Sequence, residues 1–139
     1  MFSVRRTLLA VLSAWHGLAA AKNLCDLAAA FDVIPAARRF GSGNFAAIEK
    51  LLAPLRPPKE LLGTLLLGAA ALEAAAATGF ALDRGEPAFA LSLTLFGAFA
   101  VIDELMADYQ LDETHREILV FVLLAYVVAG RDRPGERSA

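Results

Sequence analysis

A chain of 139 residues is long enough for one domain and too short for two ordinary ones. Its 13 basic and 15 acidic residues give a net charge of −2, which leaves no basic excess for nucleic acid. Hydrophobic residues make up 58% and the mean hydropathy is +0.55, more apolar surface than a soluble domain this small can hide, so lipid is the expected solvent.

In chain order, the first apolar stretch begins at Thr7, after Arg5-Arg6, and its spanning part is expected over about 7–24. Apolar character resumes beyond Lys22-Asn23 through Leu24, Leu27 and Val33-Ile34, so this helix is expected to be long and tilted and to end before Pro35. The basic start and Ala19-Ala20-Ala21 also fit a cleaved signal peptide, an alternative that would leave three spans. The single cysteine, Cys25, excludes an intrachain disulfide and a cysteine-based zinc site and reads as a packing residue. Residues 35–58 are the least apolar interior part, with a loop at Arg38, Arg39, Gly41, Ser42, Gly43 and Asn44. Asn44 suits an N-cap. Phe45, Ile48, Leu51 and Leu52 then fall at helical spacing, predicting a short amphipathic helix over about 45–53 at the membrane interface.

The second span is predicted over about 61–82, near the roughly 20 residues needed to cross hydrocarbon, with Pro58 suited to its first turn. Asp83 to Pro87 form a tight connection and the third span covers about 88–107. Asp108 to Glu113 read as a loop, and Thr114-x-x-Glu117 as the capping box opening a fourth span over 115–130. Residues 131–139 read as a polar, disordered tail, leaving 1–130 as a single transmembrane domain. The expected fold is therefore all-α: a four-helix transmembrane bundle with one short interfacial helix. Six basic residues fall on the side of the termini and seven on the other, so charge bias nearly cancels. The unopposed Arg5-Arg6 pair favours cytoplasmic termini in an inner membrane.

An ionisable residue at membrane depth is costly and tends to face the bundle interior with a partner. Glu73 sits mid-span among alanines. It reads either as a neutral acid hydrogen-bonded to a neighbouring helix or as a proton acceptor, metal ligand or ion-pair partner. Asp103-Glu104 lie one turn inside the end of the third span, His16 lies in the first and His115 opens the fourth. These five could line one polar pocket, with Lys22, Asn23 and Asp108 as secondary members. Carboxylates plus imidazole are the ligand set of di-metal bundles, but their Glu-x-x-His motif is missing, and a haem between the two histidines would meet them at different depths. No catalytic residue is assigned and no cofactor is expected. Two stripes of small residues, Ala71, Ala75, Gly79 and Ala90, Thr94, Ala98, predict close helix packing with a second copy or a membrane-complex partner.

The run Leu-Ala-Val-Leu-Ser-Ala-Trp-His-Gly-Leu from Leu9 to Leu18 resembles the opening helix of the DoxX-like family of small four-helix bacterial membrane proteins. Glu60-Leu-Leu-Gly-Thr-Leu-Leu-Leu-Gly, ending at Gly68, is similar to the start of that family's second helix. Asp103-Glu104 and Thr114-His115 have no counterpart in the family pattern. The resemblance implies a membrane-embedded helper of an oxidoreductase or quinone-linked system and carries over no catalytic residue. Three functions stand as expectations: an accessory or interaction subunit, a redox-linked or metal-binding protein using His16, Glu73 and Asp103-Glu104, and a proton-coupled transporter using Glu73.

Overall fold

The computed structural model describes residues 3–35, 40–106 and 109–131. Among them the chain is all-helical: α1 (Val4–Ala30), α2 (Asn44–Leu52) followed by a 3-10 turn (Ala53–Leu55), α3 (Lys59–Ala81), α4 (Gly85–Met106) and α5 (Tyr109–Arg131). Three of these, α1, α3 and α4, are long and apolar enough to cross a membrane. α1 runs antiparallel along α3, α3 along α4, and α4 along α5, while α1 and α5 touch at few points.

Helix ends follow local chemistry. α1 continues through Lys22-Asn23 to Ala30 and stops where Asp32 takes a left-handed φ of 57°, with the Val33 N–H returning to the Ala28 carbonyl at 2.7 Å. α3 ends the same way at Asp83 (φ 57°), with Arg84 N–H bonded to the Gly79 carbonyl at 2.8 Å. Both are the αL closure of a Schellman motif, and aspartate is among the few non-glycine residues that tolerate it. Pro58 stands just before α3 as its cap, and Pro87 falls in the first turn of α4, where the missing N–H costs no helical bond. α4 therefore starts three residues before the expected 88, and the connection shrinks to Leu82–Arg84.

Two expected starts are corrected. Thr114 does not open the last helix, because α5 already begins at Tyr109 and Thr114-Glu117 lie inside it. The preceding Tyr-Gln-Leu-Asp-Glu contains no glycine or proline to break a helix, and Asp103 and Glu104 of α4 bond to His115 and Arg116 of α5. Asn44 is not the cap of α2 but its first residue; Gly43 is the cap, in a left-handed conformation (φ 85°). Asp108, the Arg38-Arg39 pair and the tail after Arg131 lie outside the described residues.

The core is one layer of side chains shared by the four long helices: Leu9 and Leu12, Ala76 and Phe80, Ala88, Phe89 and Phe96, Val122, Ala125 and Ala129. A smaller cluster lies under α2, where Phe45 packs with Leu62 and Leu66 against Leu27 and Ala30. Many large apolar residues face outward, including Val11, Leu18, Leu65, Leu67, Val101, Leu105, Leu124 and Val127. An outer surface of this kind suits lipid or partner helices better than water.

Candidate functional site

The polar residues buried in the bundle are few, and each is held by another. Glu73, the fifteenth of 23 residues in α3, is 4% exposed. Asn23, on the facing side of α1, is equally buried and donates its Nδ2 to Glu73 Oε2 at 2.7 Å. The Oδ1 of Asn23 in turn accepts from Nδ2 of the exposed Asn44 at 2.6 Å. A string of amides thus leads from the middle of α3 to the start of α2 at the bundle end.

One helical turn beyond Asn23, Asp26 is buried and reaches the same loop. Its Oδ2 accepts the backbone N–H of Asn44 at 2.7 Å and of Ser42 at 3.2 Å, with the Ser42 hydroxyl at 3.4 Å. A carboxylate on α1 therefore does the capping work expected of Asn44, and negative charge suits the positive end of α2. Gly41 makes this possible: a Cβ there would stand 1.7 Å from Asp26 Oδ1.

His16 is 1% exposed and its Nε2 bonds the Ser92 hydroxyl at 2.7 Å, while its Nδ1 is buried with no partner among the described residues. Rings surround it: Trp15 at 5.0 Å, Phe80 at 5.8 Å and Phe96 at 5.9 Å. Asp103, also buried, bonds His115 Nδ1, and the His115 ring lies 5.0 Å from the Phe99 ring and 6.4 Å from the Phe96 ring. Glu104 turns outward and accepts from Arg116 at 2.9 Å. Lys22 sits over the Phe40 ring at 5.7 Å rather than on a carboxylate.

The five expected pocket residues are therefore divided. Glu73 belongs with Asn23, His16 with Ser92, Asp103 with His115, and Glu104 with Arg116 at the surface. Among the described residues no three His, Cys, Asp or Glu side chains converge in a way that could hold a metal ion. Two participants, Asp26 and Ser92, were not anticipated from sequence. A signal for the first existed: Asn23 and Asp26 are three residues apart and so share a face of α1, just before a glycine-rich turn. Ser92, one of two hydroxyl residues with Thr94 in an apolar helix, carries no such signal.

At the opposite end Arg5 bonds Asp83 at 2.5 Å. That guanidinium, with Arg6 nearby, holds the Asp83 carboxyl below the usual carboxylate range. Comparison of the chain with protein-family models, with characterised proteins and with solved structures finds no match.

Proposed function

We propose that the chain is an integral membrane protein in which α1, α3, α4 and α5 all cross the bilayer and α2 lies at its surface, and that it acts as an accessory or interaction subunit of a membrane complex. The fourth crossing is supported by Ile118 to Gly130, which carries no charge, buries Val122, Ala125 and Ala129, and turns Val120, Phe121, Leu124 and Val127 outward. An inner-membrane location with cytoplasmic termini is part of the same proposal and is supported by the Arg5-Arg6 pair before α1.

The observation that carries the subunit role is where the small residues point. Ala71 and Ala75 on α3, and Ala90, Thr94 and Ala98 on α4, are exposed on the outside of the bundle. Gly79 alone is spent internally, since a Cβ there would meet Ala88 Cβ at 2.9 Å. A shallow groove of about 460 Å³ beside Ala74, Ala75, Thr78 and Leu91 runs between α3 and α4. Small residues facing lipid let another helix approach closely. The polar side chains inside, by contrast, pair with one another or with the α2 loop, His16 Nδ1 excepted. The DoxX-like resemblance makes a redox-linked complex the first class of partner to examine.

The test is crosslinking in native membranes from Ala75→Cys and Ala98→Cys, repeated in the presence of Ala75→Ile or Ala98→Ile. Specific adducts that the isoleucines abolish support the role. A folded protein that crosslinks to nothing at either position sinks it.

A second reading, proton coupling through Glu73, is favoured by the Glu73–Asn23–Asn44 string that links mid-helix to the loop. It predicts that Glu73→Gln changes the phenotype more than Glu49→Gln on the exposed side of α2. Equal phenotypes remove it. The metal- or redox-site reading ranks below both, because its residues occupy separate contacts.

A further inference from the structure

The end of the bundle that carries the chain termini holds a cavity that neither reading above uses. It measures about 840 Å³ and is walled by the start of α1, the α3–α4 turn and the last turns of α5. It lies where α1 and α5, which touch little, leave room between them.

The floor is apolar. Leu9, Phe89 and Ala129 are buried along it, and the Tyr126 ring stands edge-on to Phe89 at 5.3 Å. The rim is charged, with Arg5, Arg6 and Arg84 against Asp83 and Glu86. Arg5 and Asp83 are joined at 2.5 Å, which takes that carboxylate and that guanidinium largely out of play. Arg6 acts on Asp83 only through space, and Arg84 is in no ion pair among the described residues; both are exposed. Glu86 is itself engaged by a partner, so two guanidinium groups are left at the mouth of an apolar cleft.

That combination discriminates between ligands. A free phosphate would use the arginines but gain nothing from Leu9, Phe89 and Tyr126. A zwitterionic lipid would bring its own cation towards Arg6 and Arg84. An anionic phospholipid satisfies both halves, with its phosphate on the guanidinium groups and its glycerol and upper acyl chain on the floor. We propose that this cavity binds the headgroup of one anionic phospholipid from the leaflet in which the termini lie, with Arg6 and Arg84 taking the phosphate. The inference rests on the membrane-spanning reading above and is independent of the subunit role.

The test uses the full chain equilibrated in bilayers of equal phosphatidylglycerol and phosphatidylcholine with matched acyl chains, then released for native mass spectrometry. The expected result is selective retention of phosphatidylglycerol. An arginine near an anionic surface is worth about fivefold, so R6A/R84A should lose roughly tenfold or more of the preference. R56A, at an exposed arginine beyond α2, should keep it. Circular dichroism and detergent stability establish that the variants are folded. Equal retention of the two lipids, or a preference unchanged in R6A/R84A, overturns the proposal. Displacement of the lipid by millimolar inorganic phosphate overturns it too, since the rim alone would then be the site. Vesicle flotation separates the two levels: a chain that floats but shows no preference fails this inference only, whereas one that does not float fails the membrane reading as well.

Discussion

Where α1 ends and α3 begins, polar side chains turn inward, bond to one another and are covered by the loop that opens α2. At the other end of the same bundle, around Arg5, Asp83 and Arg84, they stand at the rim of an open cavity. Each end carries an aspartate at its centre, Asp26 at one and Asp83 at the other, and the two differ in what surrounds them. Asp26 is held by two backbone N–H groups and sits against a glycine that leaves no room for another side chain. Asp83 is more than half exposed and held by one guanidinium. A carboxylate satisfied inside the fold contributes to its architecture, while one in contact with solvent contributes mostly to local potential. This contrast places rigidity at one end and room for a ligand at the other.

The sharpest way to break the comparison is at Asp26. Asp26→Ala should cost about 2–3 kcal/mol in reversible unfolding from mixed micelles, because it leaves the Ser42 and Asn44 amides without their acceptor. Hydrogen exchange at 42–47 should accelerate and that at the α3–α4 turn should not. An equal response at both ends would show that the ends are not independent. Gly41→Ala should follow, at about 1–3 kcal/mol, since its Cβ collides with Asp26 Oδ1 and the loop must move.

Asn23→Leu, which removes the donor to Glu73, should cost about 1–2 kcal/mol, and Asn23→Leu with Glu73→Leu together should recover most of it. Failure of the double variant to recover would mean that the Asn44 contact, not Glu73, carries the effect of Asn23. Smallest is Arg5→Ala at the open end, expected within about 1 kcal/mol because the pair is solvent-screened. Its pH dependence has a defined sign. The folded Asp83 carboxyl sits below its unfolded value of about 3.9, so its contribution is present above that pH and fades as acid carries it through the lowered folded value. Asp83→Asn should flatten that part of the acid limb; an unchanged limb would assign it to other carboxylates.

The helices α1, α3 and α4 were readable in the sequence because their runs are predominantly apolar, and α1 and α3 stop at the aspartate turns of Asp32 and Asp83. Glu73 was readable as the site of a buried polar contact because alanine would have packed as well there. Asn23 was readable as a secondary member of the polar cluster, but not as the specific partner of Glu73, for it is 50 residues away and helical periodicity assigns a face without saying which helix meets it. The same limit explains the division of the expected pocket. His16, Glu73 and Asp103 all face inward, yet on different levels and with Phe96 and its neighbours between the histidines. The start of α5 was misplaced for a related reason: a Thr-x-x-Glu pattern signals a cap only when nothing upstream continues the helix, and here Asp103 and Glu104 hold the early turns of α5 from outside it.

If α1 and α3 cross the bilayer as proposed, the Asn23–Glu73 hydrogen bond also bears on the order of assembly. In a chain threaded into the bilayer from its N-terminus, α1 is in place before α3 emerges, and with it the amide that receives the glutamate. An ionised side chain arriving at mid-membrane alone costs about 2.5–3.5 kcal/mol to insert. Glu73 instead meets a waiting donor. On the proposed membrane-spanning reading the contact would therefore work as an ordering rule for assembly: α3 would be comfortable in the membrane only where α1 had already gone, and a chain deprived of its opening helix would present its most polar mid-span residue to lipid.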